Sequence, residues 1–480
     1  MKKLLLAALA LMMGFGLSAK IKLPSFIGNN MVLQRECDAA VWGWTDKANH
    51  KVTVAPSWSK KKFKAVADAD GKWFLRIPTP KAGGPYTIAF SDGDKLTIKN
   101  VLIGEVWYCS GQSNMTMPMV GFESQPVEGA TDAIMGANPK VKLRMCTITP
   151  KTSLQPMDTT KGIWKRNTPA AVAGTSATAY FFGRRLQEVL GVPVGILVSS
   201  LGGTPIEGWI NRETIEKEFA DEFDLSYFDA DTLPERPGRK PGLLFNGQVA
   251  PLVPYTFKGM IWYQGETNRT MPEQYSRLQP AYVKMMREVF ENPDAPFYFV
   301  QIAPYAYNHP ERFGTGYFNE AQAKTLAEVP NSGMAVTVDI GEFETIHPSK
   351  KKEVGDRLAF LALQKTYGIK AIDAESPSFK SVVFEDGKAI VEMKADRKGI
   401  APMERDLEGF ELAGEDRVFH PAIGRISRKD KDKITVSSPE VPNPVAVRYC
   451  FRNWSKGTVF NAYGIPAAPF RTDDWDDIKQ

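Results

Sequence analysis

Residues 108–115 read YCSGQSNM, with Ser113 among small polar residues directly after the hydrophobic run 101–107. A serine hydroxyl attacks an ester only if a neighbouring base removes its proton, and histidine is the usual base. The chain offers His50, His309, His347 and His420. His50 lies among lysines near the start and His420 near the end, in regions of strand character. His309 and His347 both follow strand-like runs in the middle of the chain. In DIGEFETIHP, carboxylates stand three and five residues before His347. A base of this kind needs a third group to orient the ring and stabilise its charged form. Glu344 is expected to be that group, with Glu342 and Asp339 as fallbacks. Elimination among the four histidines leaves Ser113, His347 and Glu344 as the catalytic set. Such a pair gains activity as pH rises and the imidazole loses its proton, with an inflection near neutrality.

Attack on a carbonyl creates a negative oxygen, and donors must already face it. Three are expected: the Ser113 backbone N–H, an N–H of Gly202 or Gly203 in SSLGGT, and the side-chain amide of Gln264 in WYQGET.

The elements that must carry these groups read clearly. Residues 20–100 are short strands separated by turns such as DADGK and SDGDK, which predicts a β-sandwich. From 101 to 372, strand-like runs alternate with helical ones: VLIGEVWYC, ATAYFFGRRLQEVLG, VPVGILVSSL, FKGMIWYQ, YSRLQPAYVKMMREVFEN, PFYFVQIAP, NEAQAKTLAEV, GMAVTVDIG and SKKKEVGDRLAFLALQKTYG. That order predicts a parallel sheet covered by helices on both faces, a three-layer α/β/α domain. Sites in such sheets lie beyond the carboxyl ends of the strands, where all the residues above fall. Residues 373–480 return to strand character and predict a second small β domain, sandwich-like as the first. Lys350–Lys352 reads as the wet face of a helix.

GQSNM is not the Gly-x-Ser-x-Gly elbow, because Met115 replaces the second glycine. Instead, GEVWYCSGQSNM, SSLGGTPIEGW, LFNGQVAPLVPYTFKGMIWYQGETN and DIGEFETIHP resemble, in order, the motif blocks of the sialate O-acetylesterase family, SGNH-type carbohydrate esterases. LPSFIGNNMVLQ and VWGW near the start, and GFELAGED, AVRY and PFRTDDW near the end, extend the resemblance over nearly all of the chain past the leader. It implies an SGNH-hydrolase-like catalytic domain and metal-free, cofactor-free removal of acetyl groups from sugars. By position it makes Ser113 the nucleophile and His347 the base, with Gly202 or Gly203 and Gln264 in the oxyanion pocket. SGNH enzymes in general have Asn where Gln264 stands, and Asp where Glu344 stands. Gln112, Asn246 and Trp209 are expected to line the sugar cleft. The motifs admit O-acetylated sialic acid, of the 9-O-acetyl type, or an acetylated plant polysaccharide such as xylan. A reading from another class is a non-catalytic carbohydrate-binding protein on a hydrolase scaffold. The intact set of Ser113, His347 and Gln264 argues against it.

Composition is that of a globular protein, 43% apolar and 24% charged, with a formal net charge of +5. That balance points away from nucleic acid as a partner. Residues 1–19 have a basic start at Lys2 and Lys3, a short apolar run and small residues before position 20, as in a secretory signal. The run is too short for a membrane span. A periplasmic or secreted protein is expected, whose partner is an O-acetylated sugar or oligosaccharide. Cys37, Cys109, Cys146 and Cys450 form no metal-ligand spacing, and their spacing does not decide whether any two pair.

Overall fold

The computed structural model describes residues 20–476; the expected leader at 1–19 lies outside them. The fold is mixed α/β. Its central sheet runs, across neighbours, Ser332–Ala335, Phe297–Val300, Gly259–Tyr263, Lys95–Gly111, Val194–Ser200, Leu143–Ile148 and Gly162–Arg166. All pairs are parallel except the last. Five of these strands match the predicted runs. Leu143–Ile148 and Gly162–Arg166 are additional.

Alternation along the middle strand explains how the sheet is covered. Val106 and Tyr108 join one core with Tyr275, Leu278 and Tyr282 of helix Pro272–Val289. Trp107 and Cys109 join another with Ala179 and Phe182 of helix Ala177–Leu190 and Leu358 of helix Lys351–Leu361. Each fully buried aliphatic or phenyl side chain, such as Ile196 or Phe299, contributes roughly 1.5–3 kcal/mol. Helix Ala177–Leu190 starts where Ser176 accepts a hydrogen bond from Ala179 N, and stops at Gly191 with φ 66°, the glycine that the sequence marks as its end.

The order of strands decides where the site opens. From the middle strand the chain lays Leu143–Ile148, Gly162–Arg166 and then, between them and the middle strand, Val194–Ser200 on one side, and crosses to the other side at Gly259–Tyr263. The carboxyl end of Lys95–Gly111 is therefore the switch point, where a crevice forms between diverging connections.

The flanking regions differ from each other. In the N-terminal one, strands Val32–Gln34, Lys51–Pro56, Phe63–Val66 and Gly83–Ser91 extend the sheet of the middle strand, and Asp38–Trp44 pairs separately with Lys72–Pro78. The middle strand itself starts at Lys95 and so runs unbroken through the expected boundary at residue 100. In the C-terminal region, the expected sandwich is instead a seven-stranded antiparallel sheet, nearly closed like a barrel. All four cysteines are free thiols, and Cys109, Cys146 and Cys450 are buried.

Candidate active site

The middle strand ends at Gly111, where φ is 142° and an added Cβ would stand 2.0 Å from the Tyr263 carbonyl. Only glycine lets the two strand ends meet this closely. Gln112 N then donates to Tyr263 O at 2.9 Å. The buried Gln112 side chain accepts from the N–H groups of Gly265 and Thr267, both at 3.3 Å. These bonds set Ser113 at the start of the short helix Ser113–Thr116.

Ser113, His347, Gln112, Gly202 and Gly203 line one cavity of about 600 Å³ with Arg239, Glu266 and Thr267. A Cβ on Gly202 would lie 3.4 Å from Ser113 Cβ, so the glycine turn stands directly beside the serine. Gly203 has φ 71°. Among the described residues, the N–H groups of Ser113, Gly202 and Gly203 donate no hydrogen bond and Ser113 Oγ makes none. Unspent donors beside a hydroxyl are what an oxyanion site needs.

His347 is placed by residues that the sequence does not announce. Its Nδ1 meets Gln125 Oε1 at 2.7 Å, and the Phe122 ring packs edge-on against it at 5.1 Å. An amide oxygen only accepts, so Nδ1 carries the proton and Nε2 keeps its lone pair. Burial, and then the Lys351 charge, lower the imidazole pKa to about 4. That places the inflection well below the neutral range expected from an unperturbed histidine.

Lys351 departs most from expectation. Predicted on a wet helix face, it is 1% exposed. Its Nζ donates to Asn114 Oδ1 at 2.8 Å and to Pro348 O. Asn114 Nδ2 in turn donates to Glu266 Oε1 at 2.6 Å and Ile346 O at 3.1 Å. One buried network thus ties the residue after Ser113 to both neighbours of His347. Burial pulls Lys351 down to about 7 and pushes the Glu266 carboxyl up.

Four expected residues lie elsewhere. Glu344 is exposed, and Gln125 occupies the ring nitrogen it was to meet. Of the fallbacks, Glu342 accepts from Ser349 N and Oγ, and Asp339 is gripped by Arg357. Gln264 is fully buried and its Nε2 is spent on Asn268 Oδ1 and Thr204 O; it braces two loops behind the cavity. Asn246 donates to the carbonyls of Ser153 and Leu154. Trp209 is buried edge-on against Trp262, its indole N–H on Thr204 Oγ1. Of the other histidines, His50 bonds the Asp92 carbonyl, and His309 and His420 face Glu311 and Glu440.

A serine and an imidazole at a sheet switch point, with idle amides beside them, define a serine-type carboxylic ester hydrolase. The family model described as carbohydrate esterase, sialic acid-specific acetylesterase matches residues 103–364, and the chain belongs to that family. The chain is 27% identical to the sialate O-acetylesterase of Pongo abelii, over 90% of this chain and 88% of that one. It is 29% identical to the sialate O-acetylesterase of Homo sapiens, over 74% and 73%. A crystal structure of a carbohydrate acetylesterase from Xanthomonas citri superposes with TM-score 0.84 at 34% identity, covering 95% of this chain and 100% of that one.

Proposed function

We propose that the protein is an exported sialate-type O-acetylesterase that works through an acetyl-Ser113 intermediate on an SGNH-like scaffold. The observation that carries this reading is the shared cavity of Ser113, His347 and the Gly202–Gly203 turn. His347 Nε2 takes the Ser113 proton as Oγ bonds the acetyl carbon. The N–H groups of Ser113, Gly202 and Gly203 receive the resulting oxyanion. Collapse expels the sugar oxygen, which leaves with the proton held on His347. Water then repeats the sequence and frees acetate. We assign the orientation of the ring to Gln125 rather than to Glu344, because the amide already holds Nδ1.

Arg239 favours an acidic sugar over neutral acetylxylan. It lines the cavity, its Nε donates to Gly203 O at 3.1 Å, and no described carboxylate pairs with it. Its remaining N–H groups suit the carboxylate of a sialic acid. Gln112 supports the floor of the same cavity from below.

The test is acetate release from 9-O-acetylated sialic acid by wild type, Ser113→Ala and His309→Ala. Ser113→Ala should abolish it and His309→Ala should preserve it. Unchanged turnover in Ser113→Ala would overturn the mechanism. Release from acetylated xylan oligosaccharides, measured beside it, decides the substrate.

A further inference from the structure

A second cavity, of about 680 Å³, lies between helices Pro272–Val289 and Gly314–Glu328 and the C-terminal residues Asn453 and Arg471. It adjoins the first along the chain: Glu266 and Thr267 line the Ser113 cavity, and Arg269 through Gln274 line this one.

Arg269 is its centre. The guanidinium carbon lies 3.9 Å from the centroid of the Tyr307 ring, and Nη1 donates to Asn453 Oδ1 at 3.2 Å. No described carboxylate pairs with it, although it is partly buried, and burial lowers its pKa. Asn453 Oδ1 offers little compensation, because it also accepts from Thr315 N and Oγ1. A Cβ at Gly314 would stand 2.3 Å from Nη1, so a side chain there would push the guanidinium from this seat.

The charges around Arg269 do not balance. Arg471 is committed to Glu320 and Asp476, and Arg277 to Glu222. Arg312 and Lys324 are exposed with no described ion pair, against one further carboxylate, Glu273, which already lies in the field of Arg277. The backbone adds a second observation. Tyr307 and Asn308 both take positive φ, 49° and 62°. A non-glycine residue held there costs on the order of 1–3 kcal/mol, and such strain gathers at ligand clamps. Here it presents the ring that carries Arg269.

We infer that this cavity is a second subsite, binding a carboxylated sugar unit of the oligosaccharide whose acetylated unit occupies the Ser113 cavity. The inference rests on the acidic-sugar reading of that cavity. Arg269, with Arg312 at the rim, takes the carboxylate of that unit.

The experiment is an NMR titration of the full chain with three ligands that carry no acetyl ester: N-acetylneuraminic acid, a disialylated oligosaccharide and neutral xylotriose. The disialylated ligand should bind about tenfold more tightly than the monosaccharide, as expected for one added charge-assisted contact. Arg269→Gln should erase that gain, and xylotriose should show no comparable binding. If Arg269→Gln does not fold, the exposed pair Arg312→Gln/Lys324→Gln takes its place, and it should reduce the gain. A gain that survives these substitutions, or equal binding of xylotriose, overturns the inference. Failure of the acidic-sugar reading shows separately, as acetate release from acetylated xylan oligosaccharides that matches or exceeds release from 9-O-acetylated sialic acid.

Discussion

Two regions of the molecule bury charge in opposite ways. Beneath the C-terminal sheet, Arg448 is fully buried and grips Asp473 through two bonds, Nε at 2.9 Å and Nη2 at 2.6 Å. The rings of Phe313, Phe419 and Phe451 surround the guanidinium at 4.5, 4.2 and 5.0 Å. Beside Ser113, Lys351 is buried and Glu266 half-buried, yet they meet only through Asn114, and Glu266 Oε2 has no partner among the described residues. The first pair meets directly, through two charge-assisted bonds. A pair separated by an amide leaves both groups with displaced pKa values, and that is the arrangement found where a proton must move.

The contrast can be broken at either end. The largest effect is expected in catalysis itself: Ser113→Ala and His347→Ala should each lower kcat by at least ~10³ with little change in melting temperature. Next, Arg448→Met should strand Asp473 and cost about 3–5 kcal/mol in denaturant unfolding, while acetate release per folded molecule persists. Lys351→Met should act on both axes more mildly. It removes a cation that holds His347 low, so the acid limb of kcat/KM should move up from about 4 towards the ordinary histidine range. A limb that stays in place would show that burial alone sets the imidazole. Gln125→Glu should shift the same limb upward, because a carboxylate stabilises the imidazolium that the amide does not. In wild type, activity should persist well below neutrality and fall only as pH approaches 4. Stability should follow that direction: a depressed His347 pKa favours the fold above the unfolded value of 6.5 and loses that contribution as pH falls towards 4. The smallest effect is expected from Glu344→Ala, since the carboxylate is exposed and Gln125 holds the ring nitrogen.

What the sequence discloses about this site follows from how local each signal is. Ser113 and the glycine pair sit at the ends of strands whose apolar runs are plain, and His347 follows another such strand after a loop, so the fold edge and its polar residues are legible together. Gln125 is not, because it reaches His347 from a loop 222 residues earlier and an isolated glutamine carries no pattern. Lys351 misleads for a different reason. A lysine triplet at a helix start reads as solvated surface, and only tertiary packing against Asn114 and Pro348 reveals its middle member as buried. Gln264 has the right residue type at the right strand end, yet the neighbouring Asn268 captures its amide. The C-terminal strands are equally visible in sequence, but the number that close into one sheet depends on long-range pairing that alternation does not encode.

The strand Lys95–Gly111 has a practical consequence. Its 17 residues span roughly 55 Å when extended. The near half pairs with Gly83–Ser91 and Val32–Gln34, and the far half with the strands that flank the serine. A fragment excised at residue 101 would begin inside this strand and discard the partners of its near half. Anyone seeking a minimal esterase from this chain should therefore trim from the other end first.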